Sequence, residues 1–159
     1  MSAVVRSSAT CFGKIRSRGD FVKGPGHHQL ISVLDRWVSQ GMERLSEDPR
    51  WKAAYDNACA VDFAFIGARS RLSVVGHLRP SVDSSGRRFP FLTAATIERD
   101  DALLFRCAPV GLTHSFASLA QITESGVEGG EVAELLANLD DVDCAADFDT
   151  ALHSDPLGN

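Results

Sequence analysis

This 159-residue chain has only four cysteines, two tryptophans, one tyrosine and six prolines. No two cysteines form a C-x-x-C pair, so neither a zinc ribbon nor a dithiol redox motif is encoded. Cys11, Cys59, Cys107 and Cys144 each stand among apolar neighbours, which predicts buried, reduced thiols and a reducing compartment. No apolar run approaches the ~18–20 residues of a membrane span. The opening MSAVVRSSATCFGK has no apolar run of signal-peptide length, so a cytoplasmic location is expected. Basic residues are almost missing from the second part. Residues 101–159 carry Arg106 alone against 11 acidic residues, whereas residues 1–100 carry 15 basic and 10 acidic ones. Nucleic acid and anionic lipid should be repelled by the acidic part, while the basic part can attract an acidic partner.

Familiar catalytic signatures are also missing: no G-x-S-x-G elbow, no phosphate-binding G-x-x-x-x-G-K loop, no H-E-x-x-H. His114-Ser115 is a poor dyad, because neighbouring residues on a helix point apart. His27-His28 diverge after a Pro-Gly turn and have no third ligand at metal spacing. Asp140, Asp141, Asp143, Asp147 and Asp149 lack the glycine and closing glutamate of a calcium loop. No catalytic residue, metal or cofactor is therefore expected.

What is present reads as one α+β domain with a mainly antiparallel central sheet flanked by helices. Residues 10–145 form the domain, 1–9 a flexible start and 146–159 an acidic C-terminal tail. Thr10–Ile15 reads as a strand. Leu30, Leu34, Trp37, Val38 and Leu45 lie at helical spacing, and Asp48-Pro49 opens a second helix carrying Trp51 and Tyr55. VDFAFIG and RLSVVGHLR read as strands joined near 68–70, with Val61, Phe63 and Phe65 on a well-buried face. FLTAATIE and ALLFRCA read as two more strands. Thr113 or Ser115 caps a following helix, and EVAELLANLDDV forms another. DFDTALHSDPLGN is read as an acidic end with little to pack, free to meet a basic partner. Consecutive strands with short connections pair antiparallel.

Two segments carry the most chemistry: FGKIRSRGDFV (12–22) and GHLRPSVDSSGRRFPF (76–91). Each sets a glycine turn beside basic residues and one aspartate. Asp20 and Asp83 can bond backbone N–H groups within their turns. Lys14, Arg18, Arg87 and Arg88 can fork onto a carboxylate or a phosphate. The alternative is internal: Asp20 or Asp83 pairs with Arg87 or Arg88 and holds the loops together.

The first segment resembles the F-G-K…G-D-F opening of the TagF (ImpM) family, accessory proteins of bacterial type VI secretion systems. The second resembles that family's P-S-x-D-x-x-G-R-x-F-P segment. The likeness covers residues 11–97 well and continues loosely to about 140. Ile15-Arg16-Ser17 stands where the family often has a proline; some relatives are fused to a serine/threonine phosphatase domain, for which these 159 residues are too short, so no phosphatase activity is expected of them. The resemblance implies an α/β sandwich and a non-catalytic, cytoplasmic, post-translational regulator that represses secretion. Its implied partner is the forkhead-associated scaffold protein, with the system's regulatory phosphatase or kinase as a further one. Lys14, Arg18, Asp20, Asp83, Arg87 and Arg88 are the expected partner-binding residues, while Phe21, Phe89 and Pro90 are expected in the core. The competing reading is a nucleotide or small-molecule switch using the basic loops around 14–18 and 86–88.

Overall fold

The computed structural model describes residues 7–67, 72–99 and 102–154. In chain order the elements are β1 (Ser7–Gly13), β2 (Val22–Lys23), α1 (His28–Leu45), α2 (Trp51–Asp56), β3 (Val61–Phe65), β4 (Leu72–Arg79) and β5 (Phe91–Glu98). Four helices follow: α3 (Leu103–Gly111), α4 (Thr113–Val127), α5 (Val132–Asp140) and α6 (Cys144–His153). The five strands form one antiparallel sheet in the order β2-β1-β5-β4-β3. This is an α+β fold. The junction expected near 68–70 lies outside the described residues.

Register decides the two faces. Cys11 stands opposite Thr93, and Val75 opposite Ala95, so these point to one side with Phe91 and Ile97. Their core is completed by Leu104, Leu112, Leu119, Leu135, Leu139, Cys144 and Phe148 of α3–α6. Phe12, Leu92 and Ala94 point the other way and pack on Ile31, Leu34 and Val38 of α1. β5 is buried over seven consecutive residues because it is central and covered on both faces.

Several expectations are corrected. ALLFRCA is helix α3, not a strand. Its short apolar run fits either period, and Leu104, Cys107, Ala108 and Gly111 share the spacing of a helix. β3 is an edge strand with Val61 and Phe65 exposed, so its apolar face is only half covered. Cys59 is exposed and Cys107 half-buried; only Cys11 and Cys144 are buried. The strand expected from Thr10 starts at Ser7 and ends at Gly13, because β5 is long enough to pair with it throughout. Neither Thr113 nor Ser115 caps α4: Leu112 precedes it, and the Thr113 hydroxyl donates back to the Pro109 and Val110 carbonyls.

The acidic end is the largest correction. Much of it, residues 146–153, belongs to α6, which starts at Cys144 and is capped by Asp143, whose carboxylate accepts from the Ala146 N–H. Phe148 is fully buried, and Arg99 lies over its ring at 5.0 Å while pairing with Asp149. Aspartate at the start of a helix is favoured by the backbone dipole, so the acidic run helps this helix begin. The charge count hid an amphipathic helix.

Candidate functional site

Both motif segments meet at one end of the sheet. The first leaves β1 through Lys14 and Ile15 and turns over residues 16–20 before β2. The second connects β4 to β5. Asp83 organises them. Its Oδ1 accepts from the backbone N–H groups of Ser85 and Arg87, both at 2.9 Å, closing a turn in which Gly86 has φ of 79°. That left-handed conformation is strained for a residue with a Cβ. Asp83 Oδ2 accepts from Lys14 Nζ at 3.0 Å and from Arg87 Nε at 2.7 Å. The Asp83 side chain is wholly buried and Lys14 is nearly so. Burial alone would raise the Asp83 carboxyl, but the bonds from the Arg87 N–H, the Lys14 ammonium, the Ser85 N–H and the Arg87 guanidinium outweigh it. The group is held well below the usual carboxylate range.

The turn is then tied to the first loop. Arg87 Nη2 donates to the Gly19 carbonyl at 2.8 Å, and the Ser84 N–H donates to the Arg18 carbonyl at 2.8 Å. Phe12, Phe21 and Phe89 stack beneath: Phe12 and Phe21 are parallel at 5.5 Å, and Phe89 meets both edge-on. Lys14 Nζ lies 5.0 Å from the Phe21 ring centroid. Phe89 and Pro90 are buried as expected, whereas Phe21 is a half-exposed lid over this trio. It sits beside β2 at the sheet's outer edge, where no further strand among the described residues covers it.

Arg88 points elsewhere. It forms a bidentate pair with Asp56 of α2, both bonds 2.8 Å, and lies over the Trp51 ring at 6.0 Å. The bond from Arg88 lowers the Asp56 carboxyl below its ordinary value. Next to it, the Tyr55 hydroxyl both donates to the Ser81 carbonyl and accepts from the Ser81 N–H, each at 2.8 Å. Burial pushes the Tyr55 hydroxyl up to about 12.

Lys14, Asp83 and Arg87 are thus brought together as one buried-to-surface relay, with Arg18 and Asp20 on the exposed loop it supports. Arg88 belongs to a second tie. Tyr55, Asp56 and Trp51 were not singled out as site residues from sequence. The i, i+4 aromatic pair followed by an aspartate in WKAAYD was the only signal that could have pointed to them. His27 Nε2 is hydrogen-bonded to the Ser8 hydroxyl at 2.7 Å. Among the described residues no three His, Cys, Asp or Glu side chains are placed to share a metal ion.

The arrangement can hold two loops in fixed register and present their backbone and exposed cations. The family model for the TagF N-terminal domain, type VI secretion system-associated, matches residues 10–142. The chain belongs to the TagF family. The motif cluster just described lies inside the matched region, as do the whole sheet from Thr10 onward and helices α1–α5. A crystal structure of PA0076 from Pseudomonas aeruginosa PAO1 has a similar fold, with a TM-score of 0.68. The two sequences are 21% identical, and the likeness covers 91% of this chain and 78% of that one. No curated protein matches the chain. The TagF match makes this a type VI secretion-associated protein, and among its described residues no helix is long and apolar enough to cross a membrane.

Proposed function

We propose that this TagF domain is a non-catalytic cytoplasmic regulator that represses its secretion system post-translationally by binding the forkhead-associated scaffold protein. The family match over residues 10–142 carries this reading. The motif cluster supports it, because its polar groups are used to hold a surface in shape. Lys14 and Asp83 are the buried supports of that surface, while Arg18, Asp20 and the outer half of Arg87 form its exposed rim. Arg88 braces α2 against it.

Reversing Arg87 and Arg88 together is expected to lower the melting temperature, because it sets a carboxylate against buried Asp83 and another against Asp56. Arg18→Glu is the cleaner probe, since only the Arg18 backbone takes part in the loop tie. Calorimetry with the scaffold from the same secretion cluster should show binding that weakens about tenfold or more in Arg18→Glu, at an unchanged melting temperature. Absence of binding by the wild-type chain would remove the proposed mechanism while leaving family membership intact.

The nucleotide-switch reading is disfavoured by Asp83. Lys14 and Arg87 already bond its carboxylate, so a phosphate brought to them would face a fixed negative charge. Nucleotides are therefore expected to leave the melting temperature unchanged. A true ligand at 100 times its dissociation constant adds about 2.7 kcal/mol, or roughly 5–10 °C for a domain of this size, so a thermal-shift screen would expose the error.

A further inference from the structure

The sheet edge opposite β2 carries an uncovered strip. Among the described residues β3 pairs with β4 alone, so its outer edge has no partner strand. Edge strands of natural proteins are usually blunted by Lys, Pro or a bulge. VDFAF has no Lys, no Pro and an unbroken register with β4, and its single charge, Asp62, is taken up by His77 of β4. Beside the edge, Trp37 of α1 packs on Phe63 and Phe65 with ring centroids 5.0 and 5.1 Å away, yet remains 39% exposed. Val33, one turn earlier, is 62% exposed, while Val61 and Phe65 are 47% and 43% exposed. An apolar hollow of about 300 Å³ joins Trp37 to Val61, Ala58 and Cys59, so the strip runs along the whole edge.

We propose that two copies of this chain join through β3, edge to edge and antiparallel about Phe63. The two five-stranded sheets then become one of ten strands, and the Trp37 strips meet across the twofold axis. Two observations select a second copy as the occupant. The first is area. Val33, Trp37, Val61 and Phe65 expose roughly 350 Å² together. A standard interface takes ~800 Å² from each partner, of which about 500 Å² is apolar in homodimers. Exposed Ala58, Cys59 and Ala60, which lead into the same edge, add to the strip's exposed area.

The second is self-complementarity. Centring the pair on Phe63 sets Val61 opposite Phe65 of the second copy, a favourable aliphatic–aromatic pair made twice. Asp62 is the strand's single charge, and it falls opposite Ala64. No like charges face each other. Asp62 is already held by His77 of the same chain, Oδ1 to Nδ1 at 2.7 Å, so pairing leaves that contact in place. Asp62 and Ala64 lie on the opposite face of the strand from Phe63 and Trp37, which separates the polar and apolar contacts.

Ala64 is exposed in the single chain, so changes there test the pairing without disturbing the core. Sedimentation velocity on the 159-residue chain, from micromolar to sub-millimolar concentration, should show a dimer forming with increasing concentration. Ala64→Asp places a carboxylate opposite Asp62 at two symmetric positions and should weaken the dimer about tenfold. Ala64→Lys should keep or tighten it, and Phe65→Lys should leave a monomer; the two Ala64 variants should melt as the wild type does, whereas Phe65→Lys also gives up its ring contacts with Trp37 and Phe63 and should melt lower. A chain that stays monomeric throughout overturns the proposal, as does a dimer indifferent to Ala64→Asp and Phe65→Lys. Equal weakening by Ala64→Asp and Ala64→Lys overturns the register. β3 amides that become protected from hydrogen exchange only when the scaffold is added also overturn it, assigning the edge to a strand of a different protein.

Discussion

Asp83→Ala is expected to lower the melting temperature by on the order of 10 °C, the loss associated with orphaning a buried charge in a domain of this size. One carboxylate accepts four hydrogen bonds and is wholly inside. Removing it leaves the Lys14 ammonium buried beside Phe21 without its counter-charge and frees the turn that Arg87 ties to Gly19. Asp83→Asn should be nearly as damaging, because an amide cannot neutralise the lysine. Lys14→Met added to Asp83→Ala should recover part of the loss, since the stranded cation is then gone.

The same group gives the acid limb its shape. The folded-state pKa of Asp83 lies below its unfolded value of about 3.9, so its contribution is complete above that value and is lost as pH falls below it. Melting temperatures measured from neutral pH down to strongly acidic pH should fall steeply in the wild type below about pH 4. The fall should be shallower in Asp83→Ala. Parallel profiles would show that the carboxylate is not ionised and bonded as described.

Phe148→Ala is the second large effect, at about 3–5 kcal/mol. Its ring lies directly against the backbone of Gly111 in α3: a Cβ on that glycine would fall 2.3 Å from Phe148 Cε2. The ring also meets the Arg99 guanidinium and shares a core with Leu104, Leu112, Leu119 and Cys144. Truncation therefore opens a cavity bordered by α3 and α6, and a rigid glycine backbone cannot collapse into it. A circular-dichroism melt should show a fall of roughly 10 °C, whereas Phe148→Leu should lose much less. Deleting residues 147–159 should unfold the domain at physiological temperature, at low and high salt alike. An unchanged melt for Phe148→Ala would mean that α6 does not seal this core.

How far these conclusions were legible in the sequence differs from element to element. Leu30, Leu34 and Val38 announced α1 because a long amphipathic segment has one period that fits. FLTAATIE announced β5 through its β-branched content. ALLFRCA could not be resolved the same way: seven residues span too little chain to separate a buried strand from a helix. α6 was obscured for another reason. Its aspartates dominate the charge count, while Cys144, Ala145 and Phe148, its buried residues, look unremarkable in a string of acids. In the site, the association of Asp83 with Arg87 was one of the internal pairings weighed, but the partner of Arg88 was not foreseen, because Asp56 lies in a different element.

The sequence by itself determined the antiparallel α+β class, most of the helices and strands, the two motif loops and membership of the TagF family. These follow from local periodicity, turn chemistry and ordered short motifs, all of which are properties of neighbouring residues. Only the tertiary structure decided that Lys14 and Asp83 lie inside, that Phe21 is half open, that Arg88 turns to α2, and that β3 ends the sheet with its apolar strip bare. Burial and pairing are set by which segments the sheet order brings side by side, and residues 69 positions apart, such as Lys14 and Asp83, carry no mark of that meeting in the chain.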